Sequence, residues 1–267
     1  MLKCLYPYQE VKGYREVIAP GNGAQYTGLG LVKLKPKAVF AGESPGKEAV
    51  LVILKGFCRV EVDGVSFEGL GARDDVFSGL PAAAYVPLDS NYKITEAAGQ
   101  EAEVAVLMAA AEKKYPPFEV RPEDVVVKHR GELNYQRKIH DIIVANGEGK
   151  VDRIIVGETY SMPGHWSSYP PHKHDCYDLP SENEMEEIYY FKIKPEEGFG
   201  VQLIYTADGR TREAYLIKDG DTVAIPYGYH PVAAAPMSQV YYLWVLAGGR
   251  GRQLAAKEDP NITCLTR

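Results

Sequence analysis

The chain has 267 residues, 45% of them hydrophobic and 25% charged, which is enough to bury two ordinary cores and too evenly mixed for long disorder. Its net charge of −6 and isoelectric point near 5.6 offer no clustered cations for nucleic acid or an anionic membrane surface, so both partners are excluded. Nineteen tyrosines against seven phenylalanines favour a polar cavity, because each tyrosine joins an apolar ring to a hydroxyl that needs a partner.

The opening MLKCLYPYQE lacks the apolar centre of a signal peptide, and the longest apolar run, 104–111, is too short to span a bilayer. A soluble cytoplasmic protein is expected. Cys4, Cys58, Cys176 and Cys264 are scattered without a C-x-x-C pair, which argues against a disulfide framework or a thiolate zinc cluster. Short β-prone runs follow at 29–34, 49–54, 58–62, 84–86 and 104–108. Val62-Asp63-Gly64-Val65 reads as a hairpin, and Lys55-Gly56 as a tight bend. Charge and three prolines across 113–122 mark a linker, which divides the chain into 1–118 and 119–267. The second part repeats the pattern with strands at 154–156, 187–191, 200–205, 214–217, 222–225 and 239–246. The stretch 216–226, an acidic turn and then a strand ending in proline, echoes 71–77 with 84–87, so a duplicated all-β fold is expected.

The chemistry concentrates in the second part. In Pro170-Pro171-His172-Lys173-His174 the imidazoles stand two residues apart, and the period of a strand puts both on one side. Glu187 opens an aromatic strand, Glu187-Ile188-Tyr189-Tyr190-Phe191, and Pro226-x-Gly228-x-His230 supplies a third imidazole from a turn. Three nitrogens and a carboxylate suit one divalent ion with positions left open, and Zn, Mn, Fe, Ni and Co all accept that donor set. These two segments resemble the paired motifs of the cupin superfamily, which implies two tandem double-stranded β-helix barrels with the metal in the second. Twelve residues, 175–186, separate His174 from Glu187 where the superfamily has only a few, so the carboxylate is the ligand most in need of checking. Either a lid or a solvated acidic excursion fits that insert. The first part has no histidine before His129 and no H-x-H, so a structural role is expected for it, burying the other barrel's flank or forming a homo-oligomer surface.

A narrower resemblance covers most of the chain: 120–125, Gly164 to Asp175, 187–191, 198–202, Pro226 to Val232 and 241–245. In these words the sequence is similar to the 5-deoxy-glucuronate isomerases of myo-inositol catabolism, two-cupin proteins related to the uronate isomerases of pectin breakdown. The resemblance implies conversion of 5-deoxy-D-glucuronate into 2-deoxy-5-keto-D-gluconate, an aldose to ketose isomerisation. Charge on the enediolate of such a reaction is the kind that a chelated divalent ion stabilises, while a general base moves the proton. No residue type in the pattern names that base. Lys173 and Glu186 alternate with ligands and should point away from them. Gln202, Tyr189, Tyr229 and Tyr242 are expected as walls that hold sugar hydroxyls, and Arg137 as the fork for the substrate carboxylate. Two other readings use the same donors: an oxygen-dependent cupin, and a sugar-acid-binding module without catalysis.

Overall fold

The computed structural model describes residues 3–264, and strands dominate them. The single α-helix among the described residues, Pro260–Thr263, is one turn long, with Asp259 capping it through Asn261 N. No helix there is long and apolar enough to cross a membrane.

One compact unit takes Glu10–Val126 and His140–Gly157. Its larger sheet runs, in hydrogen-bonded order, Phe118–Val120, Ala82–Val86, Lys47–Lys55, Ala102–Ala110, Thr27–Leu34, Gly13–Pro20, Gly23–Ala24. Its smaller sheet runs Val39–Glu43, Asn91–Glu96, Cys58–Val62, Val65–Leu70. The core between them is apolar, built from side chains such as Leu51, Ile53, Val60, Ile94, Val104 and Val106. Each such side chain contributes about 1.5–3 kcal/mol on burial. The expected hairpin is present: Asp63 and Gly64 have φ of 46° and 85°, the type I′ signature, and Val62 pairs with Val65.

Glu48 explains why 140–157 joins this unit. It is wholly buried, and its carboxylate accepts the Tyr85 hydroxyl at 2.7 Å and the backbone N–H groups of Asp152, Arg153 and Ile154 at 2.9, 2.6 and 2.7 Å. A buried carboxylate left without such donors would cost about 3–5 kcal/mol. Phe118–Val120 likewise pairs with Ala83 to Tyr85 and belongs to the sheet instead of to a linker. One cut between 118 and 119 is therefore replaced by crossings after Gln9, Val126, Ile139 and Gly157.

The other unit takes the chain up to Gln9, Val127–Ile139 and everything from Glu158 onward. Its larger sheet has the order Leu5–Tyr6, Thr222–Ile225, Glu186–Lys194, Gln239–Ala247, then the parts of Ile155–Ser161, Arg137–Ile143 and Val126–Arg130 that fall in it. The smaller sheet runs Trp166–Ser167, Val232–Ala234, Gly200–Tyr205, Arg212–Ile217. Both units thus follow one strand order, and the chain is all-β with two tandem cupin barrels. The register matches too: Glu187 stands opposite Ile225 and Leu246, and Ala49 opposite Val86 and Met108, with Pro226 and Pro87 next in line. The position that carries Glu187 in one barrel carries Ala49, a core residue, in the other.

Candidate metal centre

Four local devices deliver the donors. The two-residue strand His172–Lys173 pairs with Lys257–Glu258, which holds the H-x-H segment extended and turns both imidazoles to one side. Glu187 enters from a central strand fixed on both flanks. The Pro226 to His230 turn depends on Gly228, whose φ is +86° and where a Cβ would lie 2.8 Å from the Tyr205 carbonyl oxygen. Beyond it, reciprocal backbone bonds between Tyr205 and Tyr229 anchor the chain just before His230.

One ring nitrogen from each of His172, His174 and His230 lies within 4.8 Å of the others. Glu187 Oε2 is 3.2 Å from His174 Nε2 and 3.3 Å from His230 Nε2. His174, Glu187 and His230 are 4%, 5% and 0% exposed, so these donors meet away from bulk water.

The hydrogen bonds set the tautomers. Nδ1–H of His174 donates to the Met185 carbonyl at 2.8 Å, and Nδ1–H of His230 to the Gly228 carbonyl at 2.9 Å. In the neutral rings each Nε2 then presents a lone pair to the Glu187 carboxylate, and His230 Nε2 is buried without a hydrogen-bond partner. Acceptors facing acceptors at this range need a positive charge between them, either a proton or a metal ion. Bonds of about 2.1 Å meeting at roughly 90–110° separate neighbouring donors by about 3.0–3.4 Å, so the spacing fits a divalent ion. Without a metal, a proton on His174 Nε2 takes that place against Glu187. Burial, together with the neighbouring imidazoles, pushes His172 down to about 3. Burial works to lower His174 as well, but the hydrogen bond and charge of Glu187 carry it above its ordinary value. Burial would raise Glu187, yet His174 and His230 hold it down to about 2.

Of the expected wall residues, Tyr189 and Tyr242 stand beside this cluster. Their rings are 4.4 Å apart, and the Tyr189 ring is 6.0 Å from that of His230. Ser168 Oγ lies between the two hydroxyls, at 3.1 and 3.2 Å. Burial raises both phenols, Tyr189 well above the ordinary value because Glu187 adds its charge, so both remain protonated donors. Ser168 has no signature in the sequence, since its place depends on a left-handed φ of 48°.

Gln202 and Tyr229 are placed differently from the wall that the sequence suggests. Gln202 Nε2 donates to the carbonyls of His230 at 2.9 Å, Leu203 at 2.9 Å and Pro231 at 3.3 Å, so its amide braces the ligand turn, while its buried Oε1 has no partner. Tyr229, in the turn before His230, packs its ring 5.2 Å from Tyr205 instead. Lys173 points into the 175–186 insert, as alternation requires, with its ammonium on Asp175 and Glu182.

Arg137 belongs to the same unit. Burial pushes its guanidinium below the ordinary arginine value, and Tyr242, Arg130 and Tyr189 are close enough to act on its charge. Its one hydrogen bond is a long one, 3.4 Å, to the Tyr135 carbonyl. Among the described residues no carboxylate pairs with it.

Fold and donor set together define a bicupin whose second barrel carries a candidate metal centre. The chain belongs to the KduI/IolB family, whose model matches residues 7–265. It is 39% identical to a 5-deoxy-glucuronate isomerase of Geobacillus thermodenitrificans over 85% of this chain and 81% of that protein. It is 33% identical to one from Bacillus subtilis strain 168, over 89% and 87%. An IolB-like protein of Salmonella typhimurium superposes with a TM-score of 0.92 at 30% identity, covering 99% of this chain and all of that one. Oxalate decarboxylase of Lactobacillus farciminis, at 13% identity, TM-score 0.69 and coverage of 99% and 90%, shares the fold.

Proposed function

We propose that this chain converts 5-deoxy-D-glucuronate into 2-deoxy-5-keto-D-gluconate as a cytoplasmic enzyme of myo-inositol catabolism. One divalent ion, from the set Zn, Mn, Fe, Ni and Co, is held by His172, His174, Glu187 and His230. The observation that carries the reading is the convergence of these four donors, three of them deeply buried, in a chain whose relatives bear the isomerase name. Once bound, the ion supplies Lewis-acid stabilisation for charge developing on adjacent substrate oxygens.

The protein's own groups do the rest. Tyr189 Oη, kept protonated and steadied by Ser168, is placed to donate to a substrate oxygen, and Tyr242 Oη shares that support. Arg137, half-buried and free of acids, takes the substrate carboxylate. Gln202 keeps the His230 turn in place. Lys173, already committed to two carboxylates, takes no part in the proton transfer.

Proton NMR of 5-deoxy-glucuronate with metal-loaded protein under strict anaerobiosis tests the reading. Loss of the aldehyde signal and growth of the keto acid are expected. An unaltered aldehyde at full occupancy would leave only a binding module, and turnover that requires oxygen would indicate an oxygenase.

A further inference from the structure

The insert between His174 and Glu187 is neither a free lid nor a loose excursion. Its ends close on each other through Met185 N to His174 O and His174 Nδ1 to Met185 O, both 2.8 Å. Within it, Glu182 is 2% exposed, and its Oε1 accepts the backbone N–H groups of Asp175 at 2.8 Å and Cys176 at 3.0 Å and the Lys173 ammonium at 2.7 Å. Asp175 takes the same ammonium on Oδ1, and with Oδ2 accepts Gly228 N–H at 2.7 Å. Gly228 in turn offers its carbonyl to His230 Nδ1.

A continuous line of bonds therefore runs from the residue between two ligand histidines, through the insert, to the glycine that orients the third. We infer that Asp175 and Glu182 are positioning residues: with Lys173 they form a strut that fixes the distance between the H-x-H strand and the His230 turn, and so sets metal affinity. Asp175, Cys176 and Glu182 also stand close enough together to resemble a second metal site. The Lys173 ammonium already occupies the cation position among them, within hydrogen-bond reach of both carboxylates and 3.7 Å from Cys176 Sγ. The strut consequently takes no ion of its own. Groups that orient ligand histidines in this way typically account for about 10–100-fold in metal affinity.

The inference rests on the metal reading above, and a binding experiment separates the two. Dissociation constants for Zn²⁺ and Co²⁺ are measured by chelator competition on wild type, Asp175→Ala, Asp175→Asn and Glu182→Gln, with metal stoichiometry and the thermal midpoint of each metal-free form. Wild type should bind one equivalent. Asp175→Ala should lose about 10–100-fold while its metal-free midpoint stays close to wild type. Asp175→Asn, which can still accept from Gly228 N–H, should recover most of that loss, and Glu182→Gln should fall between them. The Co²⁺ visible spectrum should change in Asp175→Ala, because the His230 geometry relaxes. Wild-type affinity in Asp175→Ala, or loss confined to a second equivalent of metal, overturns the strut. A wild type that binds no metal overturns the metal reading and the strut with it.

Discussion

Replacing Gly228 by alanine tests how closely the His230 turn is built. At a φ of +86° an L side chain costs about 1–2 kcal/mol. The new Cβ would also sit 2.8 Å from Tyr205 O and 3.4 Å from Tyr205 C, both backbone atoms that cannot swing aside as a side-chain end could. Forcing such a shift adds about 1–3 kcal/mol, by analogy with overpacked cores. The sum, about 2–5 kcal/mol, corresponds to a fall in Tm of roughly 4–20 °C for a chain of this size. The shift must also disturb the Tyr205 and Tyr229 bonds and the carbonyl that holds His230 Nδ1, so metal affinity should fall by at least about tenfold. Gly164→Ala is the control: its φ is +74°, but nothing lies within 4 Å of the added carbon. It should show the backbone cost alone and keep metal affinity. Calorimetry with chelator competition reads both quantities. Equal effects of the two substitutions on metal binding would refute the argument that the turn, and not general stability, is at stake.

His172→Ala and His230→Ala should each abolish stoichiometric metal and activity with the β-rich circular dichroism spectrum retained; a full equivalent of metal in either variant would remove that residue from the donor set. Metal affinity should also depend on pH with a definite sign. His172, at about 3, and Glu187, at about 2, are already deprotonated near neutrality, whereas His174, held above its ordinary value, must release a proton to bind. Apparent affinity should therefore rise by about one log unit per pH unit up to the His174 pKa and level off above it. A flat profile from about pH 5 to 8 would show that Glu187 does not hold His174 above its ordinary value. Arg137→Ala should lower kcat/KM for the uronate by roughly 10–150-fold, the equivalent of about 1.5–3 kcal/mol for a charge-assisted bond. Steady-state kinetics check it, and an unchanged kcat/KM would place the substrate carboxylate elsewhere.

What could be read beforehand was local. His172 and His174 share a side because strands alternate, and Pro226, Gly228 and His230 make a turn because of their residue types; neither conclusion needs long-range information. Tyr229, expected in the wall, was not legible: it lies in the turn before His230, where strand alternation does not apply, and packs on Tyr205. Nor was Gln202. Alternation brings its side chain inward, but the choice of the His230 carbonyl as its partner depends on which strands become neighbours. The insert hid its role for a similar reason, since Asp175 reaches across 53 residues to Gly228. Unit limits were the least readable, because Glu48 finds its backbone donors more than a hundred residues away.

The matching registers of Glu187 and Ala49 have a consequence for tolerance to change. Around Ala49 the inward positions answer to volume alone, so exchanges among aliphatic side chains that conserve size should pass with little effect. Around Glu187 the inward positions answer to donor geometry and proton count, where a change of one atom type is enough to fail. One strand order thus carries two substitution regimes, and natural variation in this chain should concentrate in the barrel that carries Ala49 at the Glu187 position.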